Sequence, residues 1–232
     1  LAGTYWMLGD NDNFVALLDE SAKKPELAVT SAEILRQSGD PVRALAVLTK
    51  ARDFAALPPQ SWSVEANAHI DLDEAQEAEV AALACLAECP DDRTIMGCLI
   101  SSLLMQGKAA DALPHIEKMR KAEPFGQHWI AYEASALRLL GSERYGQLVD
   151  LERFVRPYRL PVPDGFKTID EFNHAFLQAL DVWHQYETHP LEQSLRHGSQ
   201  TPRDLTSIND PVINAFYDAL DEPIHQYMAA VG

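Results

Sequence analysis

The sequence predicts an all-α chain built of helix hairpins that repeat about every 34 residues, with a smaller helical segment behind them. Three observations carry this. Pro25, Pro58, Pro90, Pro124 and Pro157 fall at intervals of 33, 32, 34 and 33 residues. Gly39, Gly107 and Gly141 are separated by 68 and 34, and the skipped turn holds Asp73, which also tolerates turn geometry. Around each turn the same residue types recur. Four positions before it stand Leu35, His69, Leu103 and Leu137; seven before, Ala32, Ala66, Ile100 and Ala134; five after, Ala44, Ala78, Ala112 and Gly146.

Each period then reads as helix, turn, helix and a proline at the boundary. Proline lacks an N–H and suits a first helical turn. Small residues at Ala32, Ala66, Ala134, Ala44, Ala78 and Ala112 let paired helices approach closely. Leu27, Ile34 and Leu35, then Leu45 and Leu48, recur at the three- and four-residue steps of one helix face.

These features resemble the tetratricopeptide repeat family over residues 8–157, as roughly four and a half repeats. Trp62 stands at that family's tryptophan position, and "SGDPVRALAVLTKA" and "QGKAADALPHIEKMRKAEP" read as its turn and second helix. The departures are Asp73 for glycine, Ile100 for a small residue and Gly146 for alanine. The resemblance implies a right-handed superhelix over residues 1–157 whose concave face, lined by first helices, binds a protein or peptide. Carried over column by column, the family's groove positions are Glu33, Arg36, Gln60, Asn67, His128 and Arg138.

After Pro157 the organisation changes. Pro157, Pro161, Pro163 and Gly165 break the helical pattern and mark a linker. A helix is expected from about Thr168 to Tyr186, with Thr168 and Glu171 as a capping box and Phe172, Phe176, Leu177, Leu180 and Trp183 as its apolar face. A polar stretch follows. A last helix starts near Pro211 and buries Ile213, Phe216, Tyr217, Leu220, Ile224 and Tyr227. Pro223 starts a helix or breaks one there.

Composition narrows the function. Nineteen Lys and Arg stand against 35 Asp and Glu, a formal charge of -16. That argues against nucleic-acid or anionic-membrane partners, which need a basic face, and mildly favours a basic or amphipathic partner. No run approaches the roughly 18 to 20 apolar residues of a membrane span. Three cysteines suggest a reduced, cytoplasmic setting. Cys85 and Cys89 sit four apart, but no second pair completes a zinc site.

Other motifs yield to packing. His69-Ile70-Asp71 has the H-x-D form of an iron site, but His69 shares the column of Leu35, Leu103 and Leu137 inside a helix. Glu171/His174 and Glu222/His225 have the Glu-x-x-His spacing of di-iron bundles, but such a site also needs a Glu from each of two other helices, and the Glu-rich helix 74–88 belongs to the repeat array, so the constellation would have to cross domains. No catalytic residue and no metal ligand is therefore assigned.

The segment His189–Thr201 carries a second resemblance. Pro190, Leu191, Gln193, Ser194, Arg196, Gly198, Gln200 and Thr201 are similar to the entry segment of 2-oxoglutarate/Fe(II) oxygenases found behind tetratricopeptide repeats. The match spans about residues 160–232, and Asn173 and the aromatic helix ending at Tyr227 fit it as well. The resemblance implies that residues 158–232 are the helical shoulder of an oxygenase-like domain. Gln193, Ser194, Arg196, Gln200 and Thr201 would lie near its site. Arg196 could pair an anion bidentately, and Gln200 and Thr201 could satisfy irregular backbone or edge the pocket. The barrel with its H-x-D, distal His and 2-oxoglutarate arginine is not in residues 1–232 and is expected beyond Gly232, just as the chain is expected to begin before Leu1.

Two functions follow as expectations. The parent protein would use Fe(II), 2-oxoglutarate and oxygen, with the repeats recruiting a protein substrate. Alternatively the chain is a non-catalytic scaffold that binds a partner in the repeat groove. Tyr5, Trp6 and Leu8 lack a preceding helix, so a further repeat or an oligomer contact is expected at that end.

Overall fold

A computed structural model describes residues 1–191, 195, 198–201 and 204–232, with Pro25 described by its backbone only. The described residues are all-α, without strands. The chain divides into two compact units. One comprises Leu1–Trp6 and Asp10–Val149, the other Met7–Gly9 and Asp150–Gly232.

In the first unit the helices are α1 (Ala2–Met7), α2 (Asn11–Ser21), α3 (Pro25–Gln37), α4 (Pro41–Arg52), α5 (Gln60–Asp71), α6 (Ala75–Glu88), α7 (Arg93–Met105), α8 (Ala109–Ala122), α9 (Gln127–Leu139) and α10 (Arg144–Leu148). Each packs on the next from α2 to α10, and the odd-numbered helices α3, α5, α7 and α9 also touch in sequence. The boundary prolines do not all take one place. Pro25 opens α3, whereas Pro58, Pro90 and Pro124 stand two or three residues ahead of their helices.

The period is written most plainly in the backbone. Gly39, Asp73, Gly107 and Gly141 all have positive φ, at 94°, 59°, 73° and 63°. Each N–H bonds back to a carbonyl three residues earlier: Arg36 at 3.0 Å, Ile70 at 3.1 Å, Leu104 at 3.0 Å and Arg138 at 3.1 Å. The next residue's N–H reaches five back, to Leu35, His69, Leu103 and Leu137, at 2.8 to 3.0 Å. This is the paired bond of a Schellman cap, and it needs a left-handed residue at its centre. Gly9, at φ 69°, closes α1 with the same outer bond, Asp10 N to Tyr5 O at 2.9 Å, although its spacing to Gly39 is 30. Asp40 then caps the following helix, accepting Arg43 N–H at 3.0 Å.

Burial follows the same columns. Ala32, Ala66 and Ile100 on first helices, and Ala44, Ala78 and Ala112 on second helices, are fully buried. Later in the second helices Leu48, Ala82 and Ile116, then Ala51, Cys85 and Met119, are buried as well. Ile100 replaces a small residue without breaking the array. Ala134 is only half-buried, Gly146 is exposed, and Leu27 faces outward rather than joining the Leu35 face.

Where each second helix meets the next first helix, one slot alternates. Leu18 and Ser31 fill it first, both 2% exposed. Arg52 and Glu65 fill it next as an ion pair, with the Arg52 guanidinium 4.4 Å over the Trp62 ring. Leu86 and Leu99 follow in an apolar cluster. Arg120 and Glu133, paired at 2.9 Å, come last, and Arg144 adds a second cation on Glu133 at 3.0 Å.

The second unit has α11 (Leu151–Phe154), α12 (Ile169–Trp183), a 3-10 turn at Leu205–Ser207 and α13 (Pro211–Val231). Phe166, Phe172, Phe176, Phe216 and Tyr217 form an aromatic ladder between α12 and α13, with successive centroids 5.1, 5.4, 4.8 and 5.5 Å apart. Offset and tilted pairs of this kind add to simple burial. Phe172 and Ile213 are buried at its base. Helix α12 stops at Trp183, short of Tyr186. Thr168 Oγ1 accepts Glu171 N–H at 3.1 Å, but the returning carboxylate takes Lys167 N–H at 2.9 Å instead of that of Thr168.

Helix α13 runs through Pro223 without interruption. The expected buried face is deepest in the first half of the helix and returns at Tyr227, which is half-buried and donates its hydroxyl to Phe154 O at 3.0 Å. Ile213 is buried and Phe216, Tyr217 and Leu220 are half-buried, but Ile224 is 49% exposed. Leu177 of α12 is likewise exposed. No element of the unit packs over these positions among the described residues.

Asp73 is the one non-glycine residue with positive φ among the described residues, where an L side chain carries a steric cost. Asp73→Gly is expected to raise stability by about 0.5–1 kcal/mol, and Gly107→Ala to lower it by at least about 1 kcal/mol. Urea midpoints of the two variants check this.

Candidate functional site

Three successive first helices line a groove of the repeat unit that carries sequence-predicted residues. Asn67 and Ile70 come from α5, Thr94, Gly97 and Ser101 from α7, and His128 and Tyr132 from α9, around a volume of about 630 Å³. The spacing explains the convergence. Thr94 and His128 are 34 apart, as are Asn67 and Ser101, so equal helices stacked by equal turns present them side by side.

The walls are held by a few polar contacts. Ser101 Oγ and Tyr132 Oη share a hydrogen bond of 2.8 Å between α7 and α9. Asn67 Nδ2 donates to Ser63 O at 2.9 Å. Trp129, 1% exposed, donates its indole N–H to Glu123 at 2.8 Å, and Glu123 also pairs with Arg93. Gly126 is required there, since a Cβ would lie 2.7 Å from the Trp129 ring. The Trp129 ring lies against that of His128, centroids 4.1 Å apart and planes tilted by 51°. The Thr94 hydroxyl and the His128 ring nitrogens make no hydrogen bond among the described residues, which leaves them for a ligand. At Gly97 a Cβ would meet only the Tyr132 hydroxyl at 3.9 Å, so the floor is open.

Beside this groove lies an ion cluster. Arg36 on α3 binds Glu33 at 2.7 Å and Asp71 on α5 at 2.8 Å. Burial opposes its charge, but the two carboxylates outweigh burial and hold the guanidinium above its ordinary pKa. Burial pushes the Cys98 thiol, on the groove wall, up to about 11 despite the nearby Arg36 and Asn67. Burial also raises Cys85 above its ordinary value.

Of the six residues expected in the groove, Asn67 and His128 line it. Glu33 and Arg36 belong to the ion cluster. Gln60 begins α5 and Arg138 lies in the last turn of α9, both exposed and away from the groove walls. Thr94, Gly97, Ser101 and Tyr132 were not expected. Thr94 is the middle member of the column Gln60–His128 and Ser101 the next member of the column Glu33–Asn67, so extending each column through the central repeat reaches both.

In the second unit Gln200 and Thr201 are half-buried. Gln193, Ser194 and Arg196 lie outside the described residues. His184 Nε2 and Ser199 Oγ are 2.7 Å apart, Leu191 and His189 are buried, and Glu187 N–H donates to Met7 O at 3.1 Å.

The metal-like spacings go elsewhere. His69 Nδ1 meets Glu74 at 2.7 Å, whereas Asp71 is taken by Arg36. His174 meets Gln178, and His225 bonds the Asp221 carbonyl. Among the described residues no three His, Cys, Asp or Glu side chains gather where a metal ion could be held. No helix among them is long and apolar enough to cross a membrane. Comparison with protein-family models, with curated proteins and with solved structures finds no match.

Two outcomes follow. Cys89, half-buried, is expected to alkylate before Cys85 and Cys98 at pH 8, since burial keeps the other two as protonated thiols; mass spectrometry of timed iodoacetamide reactions reads the order. On the second-helix side, Lys108 and Gln106 hold the Glu79 carboxyl below its ordinary value of 4.5. A depressed carboxyl contributes stability above that value and loses it as pH falls through its folded pKa. Glu79→Gln should therefore flatten the loss of stability between pH 5 and pH 3, measured by urea unfolding.

Proposed function

We propose that the chain is a protein- or peptide-binding helical repeat of tetratricopeptide type, coiled as a right-handed superhelix, with an extended partner segment lying across α5, α7 and α9. The supporting observation is the convergence of Asn67, Thr94, Ser101, His128 and Tyr132 on one open groove. An extended peptide presents alternating N–H and C=O groups, and a row of side chains that both donate and accept can pair with them. Ile70 supplies apolar surface beside the polar row, which the buried Trp129 backs from behind. On this proposal the chain acts as an adaptor.

A second proposal extends the first: the adaptor serves an oxygenase domain of a larger protein. It rests on the His189–Thr201 segment and its resemblance to oxygenase entry segments. The described side chains gather no set of ligands that fits Fe(II), so no chemical step is assigned to this chain.

Peptides selected from a displayed random library on the full chain test the groove. The expected binders perturb the NMR resonances of Gly97, Ser101 and Tyr132. Gly97→Leu is expected to weaken them at least tenfold while Tm holds or rises, because glycine inside a helix costs about 1 kcal/mol relative to a good helix former. Binders indifferent to Gly97→Leu would remove the groove from the proposal.

A further inference from the structure

Between Arg52 and Arg93 lie 40 residues with ten Asp and Glu and no Lys or Arg. They hold the hairpin α5–α6. Cations of neighbouring hairpins reach three of the ten: Arg36 pairs with Asp71, Arg52 with Glu65 and Lys108 with Glu79. The other seven make no ion pair with Lys or Arg among the described residues.

Helix α6 turns an apolar stripe outward from this acidic hairpin. Helices α5 and α7 pack against α6 and bury Ala78, Ala82 and Cys85. Val80 stays 67% and Leu83 49% exposed, Ala87 is exposed and Ala84 is half-buried. Steps of three, one and three residues place Val80, Leu83, Ala84 and Ala87 on one helix face. Glu77 and Glu88 border that face on one side, eleven residues and about three turns apart. Beside Val80 a hollow of about 280 Å³ is lined by Trp62, Ala81, Glu65 and Glu77.

The neighbouring second helices do not share the stripe. The same positions hold Ala46, Thr49, Lys50 and Asp53 in the α4 hairpin, and Pro114, Glu117, Lys118 and Lys121 in α8. Regular stacking therefore does not require an apolar surface here; α6 departs from the array.

We propose that the outward face of α6 docks a basic amphipathic helix of a partner protein. The apolar residues of that helix lie on Val80, Leu83 and Ala87, with one side chain in the Trp62 hollow, and its Lys or Arg residues meet Glu77 and Glu88. The occupant is a helix because the α6 backbone N–H and C=O groups are spent within α6. The face thus offers an extended chain no backbone partner, whereas a helix satisfies its own. The occupant is basic because the hairpin carries seven carboxylates without a Lys or Arg partner, which attract a cationic surface and repel an acidic one. Ala84 and Ala87 let two helices approach closely. This face shares no residue with the α5–α7–α9 groove and does not depend on it.

NMR titration of the full chain with a peptide of about 18 leucines and lysines, about five turns of amphipathic helix, tests the proposal. One control carries Glu for Lys; the other has the same composition scrambled so that no apolar face forms. The patterned Lys peptide is expected to shift Val80, Leu83 and Ala87, to gain helicity by circular dichroism and to bind at least tenfold more tightly than either control. Val80→Lys should weaken it at least tenfold with Tm unchanged, since Val80 is exposed, and Glu77→Lys with Glu88→Lys should weaken it while strengthening the Glu peptide. Equal binding of the scrambled peptide, binding indifferent to Val80→Lys, shifts centred on Gly97 and Ser101, or no shift at submillimolar peptide would each overturn the proposal.

Discussion

The fold depends on one backbone event repeated along the chain: a single residue in the left-handed region that ends one helix and lets the next fold back on it. Without it, the last carbonyls of each first helix would lack partners and the second helix could not start two residues later. Glycine meets the requirement at Gly39, Gly107 and Gly141, and Asp73 meets it at a steric cost. Everything else is arranged by this closure. Because the turns are alike, residues 34 apart arrive at equivalent places, and buried columns, ion pairs and groove residues line up as consequences.

The groove inherits its form from that regularity and its chemistry from departures within it. Successive first helices bring different residues to the same station, Thr94 and His128 at one and Asn67 and Ser101 at another. A surface built this way is uniform in shape and varied in hydrogen bonding. Trp129 locks one wall through Glu123 and demands glycine at Gly126, so a rigid aromatic stands beside side chains that remain free to bond.

The hairpins were legible from proline, glycine and alanine spacing because turn geometry and close helix contact each admit few residue types. Gly9 escaped notice because its interval to Gly39 is four residues short, although its backbone makes the same turn. The groove was half legible. The 34-residue columns place Asn67 and His128 on its lining, whereas Thr94 and Ser101 line it by position and carry no distinguishing residue type. Gly97 gave no signal, since an absent side chain matters only when its neighbours are known. In the second unit, amphipathic pattern identified α12 and α13 but overstated the burial of Ile224 and Leu177. Pattern reports which face is apolar, not whether a partner element covers it.

The slot that alternates between uncharged and ionic fillings limits how hairpins can be exchanged. Leu18 with Ser31 and Leu86 with Leu99 are uncharged fillings, and Arg52 with Glu65 and Arg120 with Glu133 are ion pairs. Excising one hairpin between Arg52 and Leu99 would join halves of unlike kind and strand a guanidinium against leucine, with its desolvation unmatched. Excising two would join like to like. Removing or adding hairpins keeps these seams matched only in twos, so the interchangeable block of the array is the double hairpin rather than the single one.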